Sequence, residues 1–285
     1  MSEITHAPVA PVIETGNGDP LLYVKKLCKN FGGLKACNDF DISLFKNDLS
    51  GLIGPHGAGK TTVFNMITGI YEPSTGDIFF NGDNIAGMEP HEINQRGIAR
   101  TFQNIRLFPN LTVLDNVRIA YHAHAGYSLT DSLFRNKQFG VKEKELTQRT
   151  QEFLKVFNLQ DRQGEIAMNL PYGEQRRLEI ARALAAEPTL LLLDEPAAGM
   201  NPAEVVALMD LIHFIRDRFK LTILLIEHQM RVVMGICEYI TVMDFGEVIA
   251  RGTPGEIQSN DRVIEAYLGP GAAALSEKYR RDKNQ

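Results

Sequence analysis

Apolar residues in this chain of 285 residues fall into two kinds of run. One kind is short and unbroken: Leu49-Ser50-Gly51-Leu52-Ile53, Thr189-Leu190-Leu191-Leu192-Leu193 and Leu221-Thr222-Ile223-Leu224-Leu225-Ile226. A strand without a polar face is buried on both sides and belongs in a parallel sheet covered by helices. The other kind recurs at helical spacing, as in Val113, Leu114, Val117 and Ala120, in Phe153, Leu154, Phe157 and Leu159, and in Leu178, Ile180, Ala181 and Leu184. A helix over Ala203 to Phe219 lies between two of the buried strands and completes a βαβ unit.

Shorter signals fill in the rest. Leu22-Tyr23-Val24 and Phe40-Asp41-Ile42-Ser43-Leu44 read as strands with a turn at Gly32-Gly33. Ile78-Phe79-Phe80 reads as a strand entering a tight turn at Asn81-Gly82. His91 to Gly97 reads as a short helix, and Ile98 to Gln103 as a strand ending at Gln103. Tyr239 to Met243 and Glu247 to Ala250 flank Phe245-Gly246 as a hairpin, and Ile257 to Leu268 reads as one final helix.

The fold class expected is α/β: a core with a mostly parallel sheet, an N-terminal antiparallel β part and an inserted helical subdomain. Residues 21–103 and 189–250 make the core and 104–188 the helical subdomain. A C-terminal helix and tail occupy 251–285. Residues 1–20 carry prolines and polar residues without an apolar core, so they read as a disordered leader and not as a signal peptide. The polar stretch from His122 to Glu145 is long for a loop and reads as partly helical or as an interaction element. His122 and His124 would lie on different faces of a helix, which does not suit a metal site.

Bulk composition narrows the classes. A net charge of −5 argues against a nucleic-acid binder that works through bulk basicity. Cys28, Cys37 and Cys237 are odd in number and lack C-x-x-C spacing, so neither a disulfide framework nor a zinc site is indicated. A reducing compartment fits them. No apolar run reaches the roughly 18 residues that span a bilayer, so any membrane work needs another subunit.

Chemistry centres on Gly54-Pro55-His56-Gly57-Ala58-Gly59-Lys60-Thr61, which matches the phosphate-loop pattern G-x-x-x-x-G-K-[ST]. A buried strand leads in, and Thr62 to Ile67 leads out as a helix. Glycines let several backbone N–H groups face one oxyanion, and the helix adds its positive end. Lys60 would reach the β- and γ-phosphates of ATP, and the Thr61 hydroxyl would hold Mg²⁺. Gly54 through Thr62 are the nucleotide-binding candidates. Asp194-Glu195 ends a buried strand, where open α/β sheets bind ligands. Asp194 suits a Mg²⁺ contact and Glu195 a general base; the alternative for both is a structural ion pair. His228 also follows a buried strand and could orient water or contact the γ-phosphate. Phe31 is either a packed strand residue or a stacking surface for adenine. Gly173 beside Pro171 reads as a helix start exposing N–H groups, or as an ordinary cap.

The order and spacing of these motifs resemble the ATP-binding-cassette ATPases from about Leu21 to Gly269. The resemblance implies roles. Phe31 takes the adenine-stacking position. Gln103 touches Mg²⁺ or water and links the site to the helical subdomain. Leu170-Pro171-Tyr172-Gly173-Glu174-Gln175 is the signature that reaches another subunit's γ-phosphate, so Tyr172, Gly173 and Glu174 count as nucleotide-binding. Ala198-Gly199-Met200-Asn201 meets the opposite subunit. Catalytic roles fall to Glu195, His228 and Gln103, and the metal ligands are Thr61, Gln103 and Asp194. Arg100-Thr101-Phe102-Gln103-Asn104-Ile105-Arg106-Leu107-Phe108 and the stretch Leu170 to Leu184 resemble the ATP-binding subunits of branched-chain amino-acid importers, as do Pro196 to Pro202, Ile226 to Met230 and the ending from Gly252-Thr253-Pro254 through Ala266-Tyr267-Leu268-Gly269. That narrower likeness implies a second ATP-binding subunit (a heterodimer, with a homodimer as the alternative), two membrane permeases, a substrate-binding protein and a place on the cytoplasmic face of the inner membrane. Four positions depart from the usual pattern: Pro171-Tyr172 replaces Ser-Gly, His56 replaces Asn and Asn201 replaces Asp. A cassette ATPase acting on nucleic acid or ribosomes is the alternative class, and an importer of another amino acid, amide or urea the nearer one. The first usually carries a coiled-coil insertion, tandem cassettes or a basic surface, and none is visible.

Overall fold

The computed structural model describes residues 18–122 and 137–269. The leader up to residue 17, His124 with the rest of 123–136, and the tail from residue 270 lie outside the described residues. The chain divides into two compact units, Met1–Pro90 with Met209–Gln285, and His91–Leu208. No helix among the described residues is long and apolar enough to cross a membrane.

The first unit opens with a hairpin, β1 (Leu22–Phe31) and β2 (Leu34–Leu44), longer at both strands than the apolar pattern predicts. Its middle alternates buried and exposed positions, so polar residues such as Lys25 and Asp39 ride along in the strands. After β3 (Leu49–Ile53) and α1 (Lys60–Ile67), the strands β4 (Thr75–Phe80) and β5 (Asp83–Asn84) complete an antiparallel sheet in the order β2-β1-β4-β5. Asn81 and Gly82 join β4 to β5 with φ of 51° and 87°, the left-handed pair that a two-residue hairpin turn needs. Then come α2 (Pro90–Gln95), β6 (Ile98–Arg100), α3 (Val113–His122), α4 (Lys137–Val156), α5 (Tyr172–Leu184), β7 (Leu190–Asp194) and α6 (Pro202–Phe219). The chain closes with β8 (Thr222–Ile226), α7 (Met230–Ile236), β9 (Tyr239–Asp244), β10 (Glu247–Gly252), α8 (Pro254–Gln258) and α9 (Asp261–Leu268).

In the first unit β3 lies between β8 and β9, parallel to both, and β10 pairs antiparallel with β9. All five residues of β3 and of β8 are buried, as their unbroken apolar runs require. In the second unit β6 pairs parallel with β7, Ile98 opposite Leu190 and Arg100 opposite Leu192. Val113, Val117, Leu154 and Leu178 lie on the buried side of α3, α4 and α5, and Phe157, just past the end of α4, is buried as well. Tyr121 meets Phe153 edge-on at 5.7 Å.

Two expected elements differ. The strand expected to run to Gln103 stops at Arg100, because the backbone of Phe102 and Gln103 is taken by side chains of α5 instead of a strand ladder. The single final helix is two. The Asn260 side chain accepts hydrogen bonds from the N–H groups of Arg262 and Val263, which starts a new helix there.

Candidate functional site

In the first unit the phosphate loop runs from the end of β3 into α1. Gly54 and Gly59 have φ of 153° and 99°. A Cβ on Gly54 would stand 2.0 Å from the Met243 carbonyl oxygen, and one on Gly59 2.3 Å from that of Ala36. Only glycine lets the loop press against both backbones. A Cβ on Gly57 would meet nothing within 4 Å, so the outer side of the loop is open. Lys60 is only 8 % exposed and folds its ammonium onto the Gly54 and Pro55 carbonyls at 2.7 and 2.8 Å. Gly59, before α1, offers no side-chain cap, and the first turn holds no acid, so no carboxylate there offsets the positive end of the helix. This cradle has the shape and charge for a polyphosphate. Thr61 and Thr62 stand on the first turn, Thr61 exposed.

His56 and His228 come side by side, ring centres 6.1 Å apart. Glu227 is fully buried and accepts the backbone N–H groups of His228 and Gln229 at 3.0 and 3.2 Å, which fixes where the His228 ring leaves the backbone. Phe31, at the end of β1, is 43 % exposed and meets Tyr71 edge-on at 5.3 Å. The Lys29 ammonium lies 5.3 Å from the Phe31 ring centre. Tyr71 and Lys29 are absent from the sequence-derived set, since nothing in their spacing marks them.

In the second unit Asp194 is buried and its Oδ2 lies 2.6 Å from the Arg100 guanidinium. Burial pushes the Arg100 guanidinium down from its ordinary value, and the bond to Asp194 pushes back. Glu195 has a positive φ of 45°, a turn that leads its side chain off the strand direction. Its Oε2 accepts a hydrogen bond from Gln103 Nε2 at 2.8 Å, so two predicted catalytic residues 92 positions apart are joined.

Tyr172 opens α5 with its ring 42 % exposed and beside Gly199. Its hydroxyl accepts from Arg176 at 3.3 Å. Gly173 is buried against Glu204, whose carboxylate accepts the Asn201 N–H. Glu174 is engaged by Arg162 and Arg177 at 3.4 and 3.7 Å. Arg100, Arg176 and Glu179 were missed by the sequence reading. The signal for the last two was their spacing from Tyr172, four and seven positions along one helix face.

The family described as "ABC transporter" matches residues 37–198, which holds the phosphate loop, Gln103, the Tyr172 region and Asp194-Glu195. The chain belongs to the ABC transporter family. The cassette ends in a second match, residues 247–270, described as "Branched-chain amino acid ATP-binding cassette transporter". This cassette is 43% identical over 250 residues to the high-affinity branched-chain amino acid transport ATP-binding protein BraF of Pseudomonas aeruginosa, covering 88% of this chain and 98% of that protein. It is 44% identical over 250 residues to the high-affinity branched-chain amino acid transport ATP-binding protein LivG of Escherichia coli K12, with the same shares covered. Among solved structures it is similar to MJ1267, an ATP-binding cassette of an ABC transporter in its ADP conformation. The TM-score is 0.77 and the identity 31%, with 88% of this cassette and 100% of that chain covered.

Proposed function

We propose that this cassette is the ATP-hydrolysing subunit that drives a membrane importer of branched-chain amino acids. The observation that carries the nucleotide reading is the cradle formed by Gly54 to Thr62, with glycines where no side chain fits and Lys60 buried beneath its carbonyls. The likeness to BraF and LivG across almost their whole length supports the choice of cargo.

Each residue then has a task. Loop N–H groups and Lys60 hold the β- and γ-phosphates, and Phe31 stacks on adenine. Glu195 takes a proton from the attacking water as its oxygen bonds to the γ-phosphorus and the bond to the leaving ADP oxygen breaks. Gln103 holds the Glu195 carboxylate in place, and His228 orients the γ-phosphate. Mg²⁺ would neutralise phosphate charge, and the hydroxyl of Thr61, the carboxylate of Asp194 and the amide oxygen of Gln103 are the hard donors it prefers.

Two cassettes close head to tail, each nucleotide between one chain's phosphate loop and the other chain's Tyr172–Glu174 helix start. Because γ-phosphate is attractive to N–H groups of both chains, ATP favours the closed pair and hydrolysis releases it. The partner is a related ATP-binding subunit. Two permeases and, through them, a substrate-binding protein complete the assembly on the cytoplasmic face of the membrane.

The test is Glu195→Gln. Turnover falls by roughly 10²–10⁴-fold, ATP affinity stays within about threefold, and a closed pair accumulates in size-exclusion chromatography. Turnover near that of the parent would remove Glu195 as the base.

A further inference from the structure

The exposed segment Phe102–Phe108 belongs to neither a strand nor a helix, yet its backbone is held at both ends by buried side chains. At one end the Arg176 guanidinium donates to the carbonyls of Phe102 and Gln103 at 2.7 and 2.8 Å. Glu179 accepts the N–H groups of Phe102 and Arg106 at 3.3 and 3.1 Å. Arg176 and Glu179 pair with each other at 2.7 Å and are 0% and 1% exposed. At the other end Asn116, also fully buried, accepts the Phe108 N–H at 2.9 Å and donates to the Phe108 carbonyl at 3.1 Å.

A buried ion pair is a poor source of stability, since apolar residues of the same volume pack as well. What it supplies is position. The planar guanidinium grips two carbonyls and a carboxylate in fixed directions, which an ammonium cannot imitate. The same group also donates to the Tyr172 hydroxyl at 3.3 Å. From the gripped Gln103 backbone, the Gln103 side chain reaches Glu195 at 2.8 Å. One guanidinium therefore stands between an exposed loop, the start of α5 and the carboxylate of Glu195.

We propose that Arg176, locked by Glu179, is a positioning residue for hydrolysis: it holds the Phe102–Gln103 backbone where the Gln103 side chain meets the Glu195 carboxylate. The same guanidinium also supports the Tyr172 ring at the start of α5, so one side chain sets both positions. The inference rests on Glu195 being the base.

The experiment uses the full chain and two variants. Arg176→Lys keeps the charge and loses the fork. The pair Arg176→Met with Glu179→Met keeps an apolar, filled interior and loses the grip altogether. Both are expected to lower kcat at least tenfold with KM for ATP within twofold. Amide hydrogen exchange at Phe102 and Arg106 is expected to speed up at least tenfold. In a Gln103→Ala background, Arg176→Lys is expected to cost less than twofold further, because both changes cut one chain of contacts. Parental kcat in either variant, or costs that multiply with Gln103→Ala, overturns the proposal. Lys60→Ala runs alongside. If it binds and hydrolyses ATP like the parent, the nucleotide reading fails and this inference with it. If it is dead while Arg176→Lys is normal, the inference fails alone.

Discussion

Lys60 lies under its own loop, bonded to two carbonyls that any lysine-free loop would leave to water. A phosphate would offer that ammonium a charged acceptor, and hydrogen bonds to charged groups are worth about 1.5–3 kcal/mol each. Lys60→Ala should therefore weaken ATP binding roughly 100-fold or more, read by titration with a fluorescent nucleotide. Unchanged affinity would count against the loop as the phosphate site. Glycines in the same loop separate shape from strain. Gly54→Ala puts a methyl group 2.0 Å from the Met243 carbonyl and should cost about 3 kcal/mol or more of stability. Gly57→Ala meets open space at φ of 79° and should cost only about 1–2 kcal/mol. Thermal melts of the two variants check the order. Thiols follow burial. Burial pushes Cys37 and Cys237 up to about 12, so at pH 8 roughly one in ten thousand of each is thiolate. Since only the thiolate reacts, iodoacetamide should label the half-buried Cys28 first, and reach the other two after unfolding. Mass spectrometry of the alkylated native chain gives the answer, and rapid labelling of Cys237 would contradict it.

At the scale of elements, α5 combines two jobs. Its start presents Tyr172 beside Gly199 and Gly173 against Glu204, and four residues after Tyr172 it sends Arg176 inward. No side chain caps this helix start, where Pro171 and Tyr172 replace the usual serine and glycine. Replacing Pro171-Tyr172 with Ser-Gly restores a hydroxyl that can accept from the first-turn N–H groups or face a partner's phosphate. It also removes the ring that Arg176 supports. The rate should change at the partner cassette's nucleotide site and stay constant at this chain's own. A mixed pair with one disabled site, assayed for phosphate release, decides between the two. Elements also mark where local reading succeeds. The runs of β3, β7 and β8 were legible because an unbroken apolar stretch has only one comfortable place, inside a covered sheet. The β6 strand was overextended because Phe102 and Gln103 look like strand residues, while their partners are an arginine and a glutamate more than seventy positions away. Ser259 and Asn260 broke the last helix through a side-chain cap that helical periodicity does not register.

For the whole molecule, family, nucleotide loop and the order of the motifs were all readable from residue order, because each depends on spacing within a few residues or on a buried run. A phosphate loop needs its glycines, lysine and threonine within one turn of chain, and the sequence shows them. The pairing of Asp194 with Arg100, of Glu195 with Gln103, and of the 102–108 loop with Arg176, Glu179 and Asn116 came only with the folded chain. Charged residues carry no mark in sequence that says which of them will be buried. Their burial is set by what packs over them from distant segments, and a buried charge must then find a partner wherever the fold has brought one within reach.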